Sequence, residues 1–400
     1  MQKIINLKSQ VVIFGAGIAG LACAMTLKKN NISYLILENQ DYIGGRIKTN
    51  STPDGFLLDQ GFQVLLTSYP ELKYFLDLKK LNLKKFNSGA FIQVADSSYI
   101  IANPIKHPDK IFSPLKCPFI SFKDQLLVIK LIFKAYFSND FESLENKTTL
   151  EFLTDFGFSS KMIENFWTPF MSGIYLDSKL TLDAGYFLFL IKCFSLGQVT
   201  VPENGMAEIP LQMSAELDPN SILLLQKNIK TNEKQIILEN GQIINTSFIV
   251  KAYNSDKKMR SASTYYFSTE KKISWSKWLV LVPKKLGYNT NHIAIMSEIS
   301  KKYTANNQQL ISATVLGSDN IDADIIKIEI EKMSCQNLNL KHLKTDHVVS
   351  ALPELKFNPN HFIKNNFNYE CGDHVSSPSI QGALKSGRLA ALDIISCITQ

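Results

Sequence analysis

The sequence predicts an α/β fold in which a domain built on a parallel β-sheet is interleaved with a second, mixed α+β domain. Two observations near opposite ends of the 400-residue chain support this prediction. Residues 11–14 form an apolar run that leads into a glycine-rich turn and then into a helical pattern. Residues 369–391 show a similar order, with a short strand followed by a helix rich in glycine and alanine. Such strand–helix units build parallel sheets, so we expect both ends of the chain to share one domain.

Three glycines follow the first apolar strand at a fixed spacing. Gly15, Gly17 and Gly20 form a G-x-G-x-x-G that opens directly into the helix. The first glycine permits a sharp turn, the second lets a pyrophosphate approach the backbone, and the third lets the helix pack closely on the strand. The helix begins at Ile18 and Ala19, where free N–H groups and the positive end of the helix dipole favour phosphate binding. This pattern is typical of a dinucleotide-binding turn.

A second apolar strand, Tyr34–Leu37, ends in Glu38 and Asn39. Its carboxylate lies at the spacing where an acid accepts hydrogen bonds from ribose hydroxyls. We therefore predict that Glu38 and Asn39 contact the nucleotide. These residues alone do not distinguish NAD from FAD.

A Gly-Gly-Arg follows soon after, at Gly44, Gly45 and Arg46. It resembles the family of FAD enzymes that includes amine oxidases, protoporphyrinogen oxidases and phytoene desaturases. In that family the arginine and the glycine backbone lie along the FAD pyrophosphate. The D-x-G at 59–61 resembles the family's D-x-G-x-H, although Gln63 stands in place of the histidine. An ordinary glycine turn with a solvated arginine is the alternative interpretation of the Gly-Gly-Arg.

The closing segment, residues 369–391, strengthens the resemblance. A strand ends at Gly372 and Asp373, and a helix then begins near Ser379 and Ile380. This is similar to the family's terminal motif, in which the acid holds the ribityl or pyrophosphate region and the helix N-terminus faces the flavin. A helix N-terminus stabilises the negative charge that reduced flavin carries. The resemblance also makes Ile229, in the segment LLLQKNIK, a candidate contact for the adenine.

The resemblance implies a Rossmann-like FAD-binding domain of the GR2 type, as in amine oxidases, and a substrate-binding domain with a helical part and an antiparallel sheet. Four β-rich runs between residues 263 and 317 agree with such a sheet. The FAD-binding domain is expected to comprise residues 1–68, 199–258 and 350–400. The substrate-binding domain is expected to comprise residues 69–198 and 259–349.

Composition excludes several other classes. The net charge of +7, from 43 basic and 36 acidic residues, is spread along the chain and does not indicate a nucleic-acid partner. The six cysteines form no C-x-x-C and no metal-ligand spacing, so we expect reduced thiols, no metal and a cytoplasmic location. We find no signal-peptide pattern and no apolar stretch long enough to span a membrane.

Residues 122–137 are predicted to form one helix that combines aromatic side chains with lysines. Two interpretations are open. The helix could lie in a membrane interface, which would make the protein membrane-associated. It could equally be a core helix of the substrate domain whose lysines extend to water, and this is the interpretation we prefer.

The function that the resemblance implies is hydride transfer from a small-molecule substrate to N5 of FAD. A region rich in phenylalanine between residues 69 and 198 favours an apolar substrate, as in carotenoid or isoprenoid desaturases or protoporphyrinogen-oxidase-like enzymes. Amine oxidation is the first alternative, but Ser379 stands where amine oxidases of this fold often carry an aromatic residue. A non-catalytic prenyl- or lipid-binding protein of the same fold is the second. The sequence identifies no catalytic acid or base and no oligomeric state.

Overall fold

The structure is a computed structural model, and it describes residues 7–94, 97–103, 106–110, 117–138, 147–227, 229–232, 234–254, 258–354 and 361–399. Helices together with a mostly parallel six-stranded sheet and a mostly antiparallel seven-stranded sheet confirm the predicted class, an α/β domain with a mixed α+β domain. The strands are β1 (Leu7–Lys8), β2 (Val11–Phe14), β3 (Tyr34–Leu37), β4 (Thr49–Ser51), β5 (Leu57–Asp59), β6 (Leu65–Leu66), β7 (Lys84–Lys85), β8 (Gly89–Val94), β9 (Ser97–Ala102), β10 (Val199–Val201), β11 (Ile222–Leu223), β12 (Lys230–Asn232), β13 (Gln235–Ile237), β14 (Ile243–Asn245), β15 (Phe248–Lys251), β16 (Met259–Thr269), β17 (Leu279–Leu281), β18 (Thr290–Ile295), β19 (Gln309–Leu316), β20 (Lys341–Pro353), β21 (Ile363–Asn365) and β22 (Asn368–Glu370). The helices are α1 (Ile18–Lys29), α2 (Leu72–Phe75), α3 (Phe122–Phe137), α4 (Thr149–Phe156), α5 (Ser160–Met162), α6 (Thr168–Tyr175), α7 (Ala184–Leu196), α8 (Glu208–Ala215), α9 (Met296–Ile299), α10 (Ala323–Ser334) and α11 (Ile380–Thr399), with a π-helical turn at Ile163–Trp167.

A six-stranded sheet in the order β11-β3-β2-β15-β22-β21 carries the glycine-rich turn. All neighbouring pairs are parallel except β21 and β22. Val11, Val12 and Ile13 of the central strand β2 are fully buried, as expected for a parallel strand covered on both faces. Because parallel strands end at the same edge, the residues that follow β2, β3, β15 and β22 come together there.

Helices α1 and α11 pack closely against each other beside this sheet. Ten consecutive residues of α1, from Ile18 to Leu27, are buried, so the helix is covered on all sides. Gly387 of α11 faces the backbone of α1 at Ala19, and a Cβ atom at this position would overlap the Ala19 carbonyl oxygen. Arg388 on the same helix binds the carboxylate of Glu71 through Nε and Nη2. These contacts fix the closing helix over the opening one.

A seven-stranded sheet in the order β20-β16-β19-β18-β17-β8-β9 forms the second layer. Its pairs are antiparallel except β17 and β8. One face is covered by α10, whose Ile326 and Ile330 belong to the same apolar cluster as Phe267, Ile293 and Ile311 of the sheet. The opposite face is directed toward the six-stranded sheet and the helical region. The remaining strands form three smaller sheets, β1-β14-β13-β12, β6-β10-β7 and β4-β5.

The helical region comprises α3 to α7. Helix α3 has the predicted bounds, and Ser121 and Asp124 form a capping box at its start. Helix α4 is separate from α5, because Gly157 takes a left-handed conformation (φ 99°) and ends α4. Asp124 also accepts hydrogen bonds from the backbone N–H and hydroxyl of Ser159, which joins α3 to the start of α5.

Asp59, at the end of β5, connects four separate segments. Its carboxylate is buried and accepts hydrogen bonds from the Thr49 hydroxyl, the Met206 backbone N–H and the Tyr303 hydroxyl. Burial raises the pKa of Asp59, and the three hydrogen bonds oppose that rise. The D-x-G segment thus holds together β4, the loop at Met206 and the turn at Tyr303. Within the described ranges, no helix is both long and apolar enough to cross a membrane.

We predict that Gly387→Ala destabilises the protein, because the added methyl group must push α11 away from the α1 backbone. The expected loss in the free energy of unfolding is ~1–3 kcal/mol, as for other overpacked sites. Urea unfolding measures it. The matched change Leu392→Ala, at an exposed position of the same helix, should alter stability by less than about 0.5 kcal/mol. Equal stability of both variants would contradict the close packing.

Candidate active site

A cavity of about 1670 Å³ is lined by residues of both large sheets and of the helical region. One half lies at the edge where the parallel strands end. Fourteen of the fifteen residues predicted to contact the cofactor line it: Gly15, Gly17, Ile18, Ala19, Glu38, Asn39, Gly44, Gly45, Arg46, Ile229, Gly372, Asp373, Ser379 and Ile380. Gly20 lies behind the turn instead, where its lack of a side chain lets α1 approach the Gly15 carbonyl. The structure therefore assembles the predicted set from segments at both ends and in the middle of the chain.

Two glycine segments meet backbone to backbone in this half of the cavity. Gly17 pairs with Gly44 in an isolated parallel bridge, and the Gly44 N–H donates to the Ala16 carbonyl at 2.9 Å. A Cβ atom on Gly45 would contact the Gly17 Cα atom at 3.4 Å. A Cβ atom on Gly17 would meet no atom within 4 Å and would project into open space. The turn thus leaves room for a ligand to approach the backbone, as a pyrophosphate requires.

Glu38 is held in place at the end of β3. Its Oε2 accepts a hydrogen bond from the Ala16 backbone N–H at 2.7 Å, and its Oε1 accepts one from the Gln40 N–H at 2.9 Å. The side chain is buried yet lines the cavity. Since each carboxylate oxygen can accept a further bond, Glu38 can still bind ribose hydroxyls. Asn39 beside it is exposed and accepts a hydrogen bond from Gln40.

Arg46 and Asp373 form an ion pair at 2.5 Å between Nη2 and Oδ1. The arginine also donates through Nη1 to the Ala351 carbonyl at 2.9 Å. Burial lowers the pKa of Arg46, but the charge of Asp373 and its hydrogen bond more than offset this and raise it overall. Gln63, at the position of the family's histidine, donates to the backbone carbonyls of Arg46 and Gln60. The ion pair joins the two ends of the chain at the cavity.

The closing helix begins beside this ion pair. Ser379 caps α11, because its hydroxyl accepts from the Gly382 N–H at 3.0 Å. Gly372 has a φ of 151°, and its N–H donates to the Ser386 hydroxyl at 2.8 Å. Ile229 lies partly buried at the opposite wall. The start of the helix, with its free N–H groups, therefore borders the cavity where the sequence predicts the flavin.

The other half of the cavity is apolar and aromatic. Its walls include Phe62, Tyr69, Phe86, Trp167, Phe170 and Tyr186. The acidic side chains among the described lining residues are Glu38 and Asp373, and both belong to the cofactor half. A substrate in the aromatic half therefore meets no carboxylate among these residues.

His292 is a cavity residue that sequence analysis missed. It lies on β18, is buried, and has its Nδ1 at 2.9 Å from Asn291 Oδ1. The ring of Phe62 packs edge-on against it, with 4.7 Å between centroids. Burial lowers the pKa of His292 to about 4, so the imidazole is neutral at neutral pH. Alternation along the β-rich run HIAIMS predicts that His292 shares a face with every second residue of the strand. It does not predict whether that face lines the cavity.

Comparison with known proteins identifies the family. The family model described as flavin containing amine oxidoreductase matches residues 18–246, more than half of the chain. The chain belongs to this family. FAD is thus its cofactor, and the predicted family, cofactor and oxidoreductase class are confirmed. The glycine cradle, the buried Glu38 and the charged Arg46 fit such a dinucleotide.

Individual relatives are more distant. Mitochondrial protoporphyrinogen oxidase of Nicotiana tabacum is 24% identical over 168 residues, which is 41% of this chain and 32% of that protein. Matches to the curated relatives span 10% and 32% of their lengths. The structure of wild-type putrescine oxidase bound to putrescine superposes with a TM-score of 0.67 at 14% identity, covering 98% of this chain and 100% of that one. An oxidoreductase from Methanosarcina mazei gives a TM-score of 0.69 at 14% identity, with the same coverage.

We predict that Glu38→Ala weakens FAD binding, because it removes a ribose acceptor and leaves the Ala16 N–H unpaired. Losing hydrogen bonds to a charged group costs ~1.5–3 kcal/mol, which corresponds to a roughly tenfold to hundredfold rise in Kd. Titration of the apoprotein with FAD, followed by flavin fluorescence, measures this. Glu164→Ala, at an exposed position far along the chain from these segments, serves as the control. Unchanged flavin affinity in Glu38→Ala would argue against the assigned ribose contact.

Proposed function

We propose that the protein oxidises an apolar small molecule by hydride transfer to FAD. When bound, FAD would supply the hydride acceptor. The observation that carries this proposal is the aromatic half of the cavity, which adjoins the cofactor half and has no carboxylate among its described lining residues. Its aromatic walls exclude water and favour a flat or extended hydrocarbon. Isoprenoid and carotenoid precursors are substrates of this kind. Porphyrinogens, whose apolar macrocycle also carries ring N–H groups and carboxylates, are further candidates.

Amine oxidation receives less support from the same cavity. Putrescine, which the superposed putrescine oxidase binds, is a dication at neutral pH, and burying a cation without an anionic partner is costly. Ser379 is engaged in capping α11, so no aromatic ring stands at that place. The non-catalytic alternative is also less favoured, because Glu38, Arg46 and Asp373 form a complete nucleotide-binding set.

Anaerobic flavin reduction tests the proposal. We expect a carotenoid or isoprenoid precursor, or a porphyrinogen, to bleach the absorbance of the FAD-loaded protein within a single turnover. Putrescine and spermidine should leave the flavin oxidised. Bleaching by the amines alone would replace the proposal with amine oxidation. A protein that neither retains nor takes up FAD would overturn the enzymatic function altogether.

We also propose that α3 contacts an anionic membrane surface. Its inner face, with Val128, Leu131 and Ile132, lines the cavity. Its outer face exposes large apolar side chains at Phe122, Leu126, Ile129, Phe133, Tyr136 and Phe137. Lys123, Lys130 and Lys134 are exposed beside them, whereas the single acid of the helix, Asp124, is buried. Exposed aromatics flanked by lysines match the interfacial zone of a bilayer with negative headgroups.

Reversal of the three lysine charges tests this contact. The triple variant Lys123→Glu, Lys130→Glu, Lys134→Glu should bind vesicles of phosphatidylcholine and phosphatidylglycerol at least tenfold more weakly, since each lysine near an anionic surface contributes about 1 kcal/mol. Co-sedimentation measures the bound fraction. A control triple, Lys79→Glu, Lys80→Glu, Lys332→Glu, makes the same change in net charge at exposed positions elsewhere. Equal loss in both variants would show a general charge effect and contradict the α3 contact.

A further inference from the structure

Four polar side chains form a row across the seven-stranded sheet. His292 on β18 pairs with Thr314 on β19, Thr314 pairs with Thr264 on β16, and Thr264 pairs with Asp346 on β20. Residues directly opposite each other in neighbouring strands project from the same face of a sheet. His292 and Thr314 line the cavity, so this is the face directed toward the substrate. We call these four residues the polar row.

Each member of the polar row carries a buried polar atom without a hydrogen-bond partner among the described residues. These atoms are His292 Nε2, Thr314 Oγ1, Thr264 Oγ1 and Asp346 Oδ2. Burying such atoms unpaired is unfavourable, and native proteins keep few of them. Here four such atoms lie in register on one face of the sheet, and two of them belong to residues that line a large cavity. We infer that their hydrogen-bond partners come from outside the chain, as a ligand group or as ordered water.

The hydrogen-bonding capacity of the row defines what it can bind. Asn291 Oδ1 accepts from His292 Nδ1, which leaves a lone pair on Nε2 as an acceptor. The Thr314 hydroxyl can donate or accept. Asp346 already binds Lys344 through Oδ1, at the edge strand and away from the cavity. The cavity end of the row is therefore uncharged and suits an O–H or N–H group, not a cation or a carboxylate.

Two neighbouring residues pack against the imidazole at this end of the row. Gly173 of α6 lies against the imidazole, and a Cβ atom there would come within 2.8 Å of His292 Nδ1. The Phe62 ring packs on His292 from the cavity side and is itself only half-buried. Phe62 and His292 both line the cavity, so a ligand at the cavity end of the row would lie beside this ring.

We propose that His292 and Thr314 form a polar subsite that binds an uncharged O–H or N–H group on the otherwise apolar substrate, with Thr264 and Asp346 continuing the row through ordered water. The subsite rests on the proposed function, because only that function makes the ligand of the subsite the substrate. The subsite would fix which part of a hydrocarbon skeleton faces the flavin. It would favour apolar molecules with a hydroxyl or a ring N–H over pure hydrocarbons.

A matched pair of probes tests the subsite without turnover. Carbazole and 9-methylcarbazole share an aromatic skeleton, but the methyl group removes the N–H donor. Binding to the FAD-loaded protein is measured by equilibrium dialysis, with free and bound probe quantified after extraction. We expect carbazole to bind at least tenfold more tightly than its methyl derivative. The preference should fall to about equal affinities in His292→Phe and at least threefold in Thr314→Val.

Controls separate this role from a structural one. Thr345→Val lies next to Asp346 on β20 but outside the row, and should keep the full preference. Thr314→Val should melt at or above the wild-type temperature, because the hydroxyl it removes has no partner in the chain. A melting temperature well below wild type would assign Thr314 a structural hydrogen bond instead. His292→Leu also removes the acceptor and should likewise give about equal affinities, and it serves if His292→Phe does not fold.

Several results would overturn the subsite. These are equal affinities for the two probes in the wild-type protein, an unchanged preference in both row variants, or no binding of either probe. The outcome is independent of the flavin-reduction assay. A protein that keeps the N–H preference but is not reduced by any apolar substrate would refute the proposed oxidation and leave the subsite in place.

Discussion

Parallel pairing of β2 with β3 on one side and β15 on the other is the interaction on which the rest of the structure depends. These strands come from residues 11–14, 34–37 and 248–251, and β22 at 368–370 extends the same sheet. Their hydrogen bonds bring the glycine-rich turn, Glu38 and the Gly372–Asp373 segment to one edge. The Arg46–Asp373 ion pair and the capped start of α11 then close the cofactor half of the cavity. These groups come from two distant parts of the chain, residues 15–46 and 372–380.

Local physics explains which parts of this arrangement the sequence predicts. A strand, three glycines and a helix start are contiguous, so their spacing alone specifies the turn around Gly15 and Gly17. Residues at the other end, such as Asp373 and Ser379, follow from family resemblance because no local pattern links them to the turn. The predicted domain boundaries stay a prediction. Secondary structure is harder to predict where a single residue decides it, as Gly157 shows by ending α4 in a left-handed conformation.

The polar row marks the limit of sequence analysis. His292, Thr314, Thr264 and Asp346 become neighbours only through the register of four strands drawn from residues 259 to 353. His292, Thr314 and Thr264 lie in strands whose other residues predict a buried sheet, whereas Asp346 lies in the largely exposed edge strand β20. A lone histidine in a buried strand is most simply a core residue. The structure shows that the unpaired polar atoms of these four residues lie on one face of the sheet, the face that lines the cavity. A substrate-binding wall is therefore encoded in pairings between strands, while the cofactor-binding half is largely encoded in contiguous motifs.

The burial of α1 by α11 has a consequence for how the molecule is made. Residues 18–27 of α1 are buried on every side. Helix α11, residues 380–399, covers one of these sides and is the last of the described elements to be synthesised. Until then the opening helix cannot bury the face that packs against α11. Such long-range contacts slow folding, since the entropy of closing the chain must be lost before they form. The opening helix therefore stays incompletely covered for most of the synthesis, and the start of α11, which borders the cofactor half of the cavity, is added late.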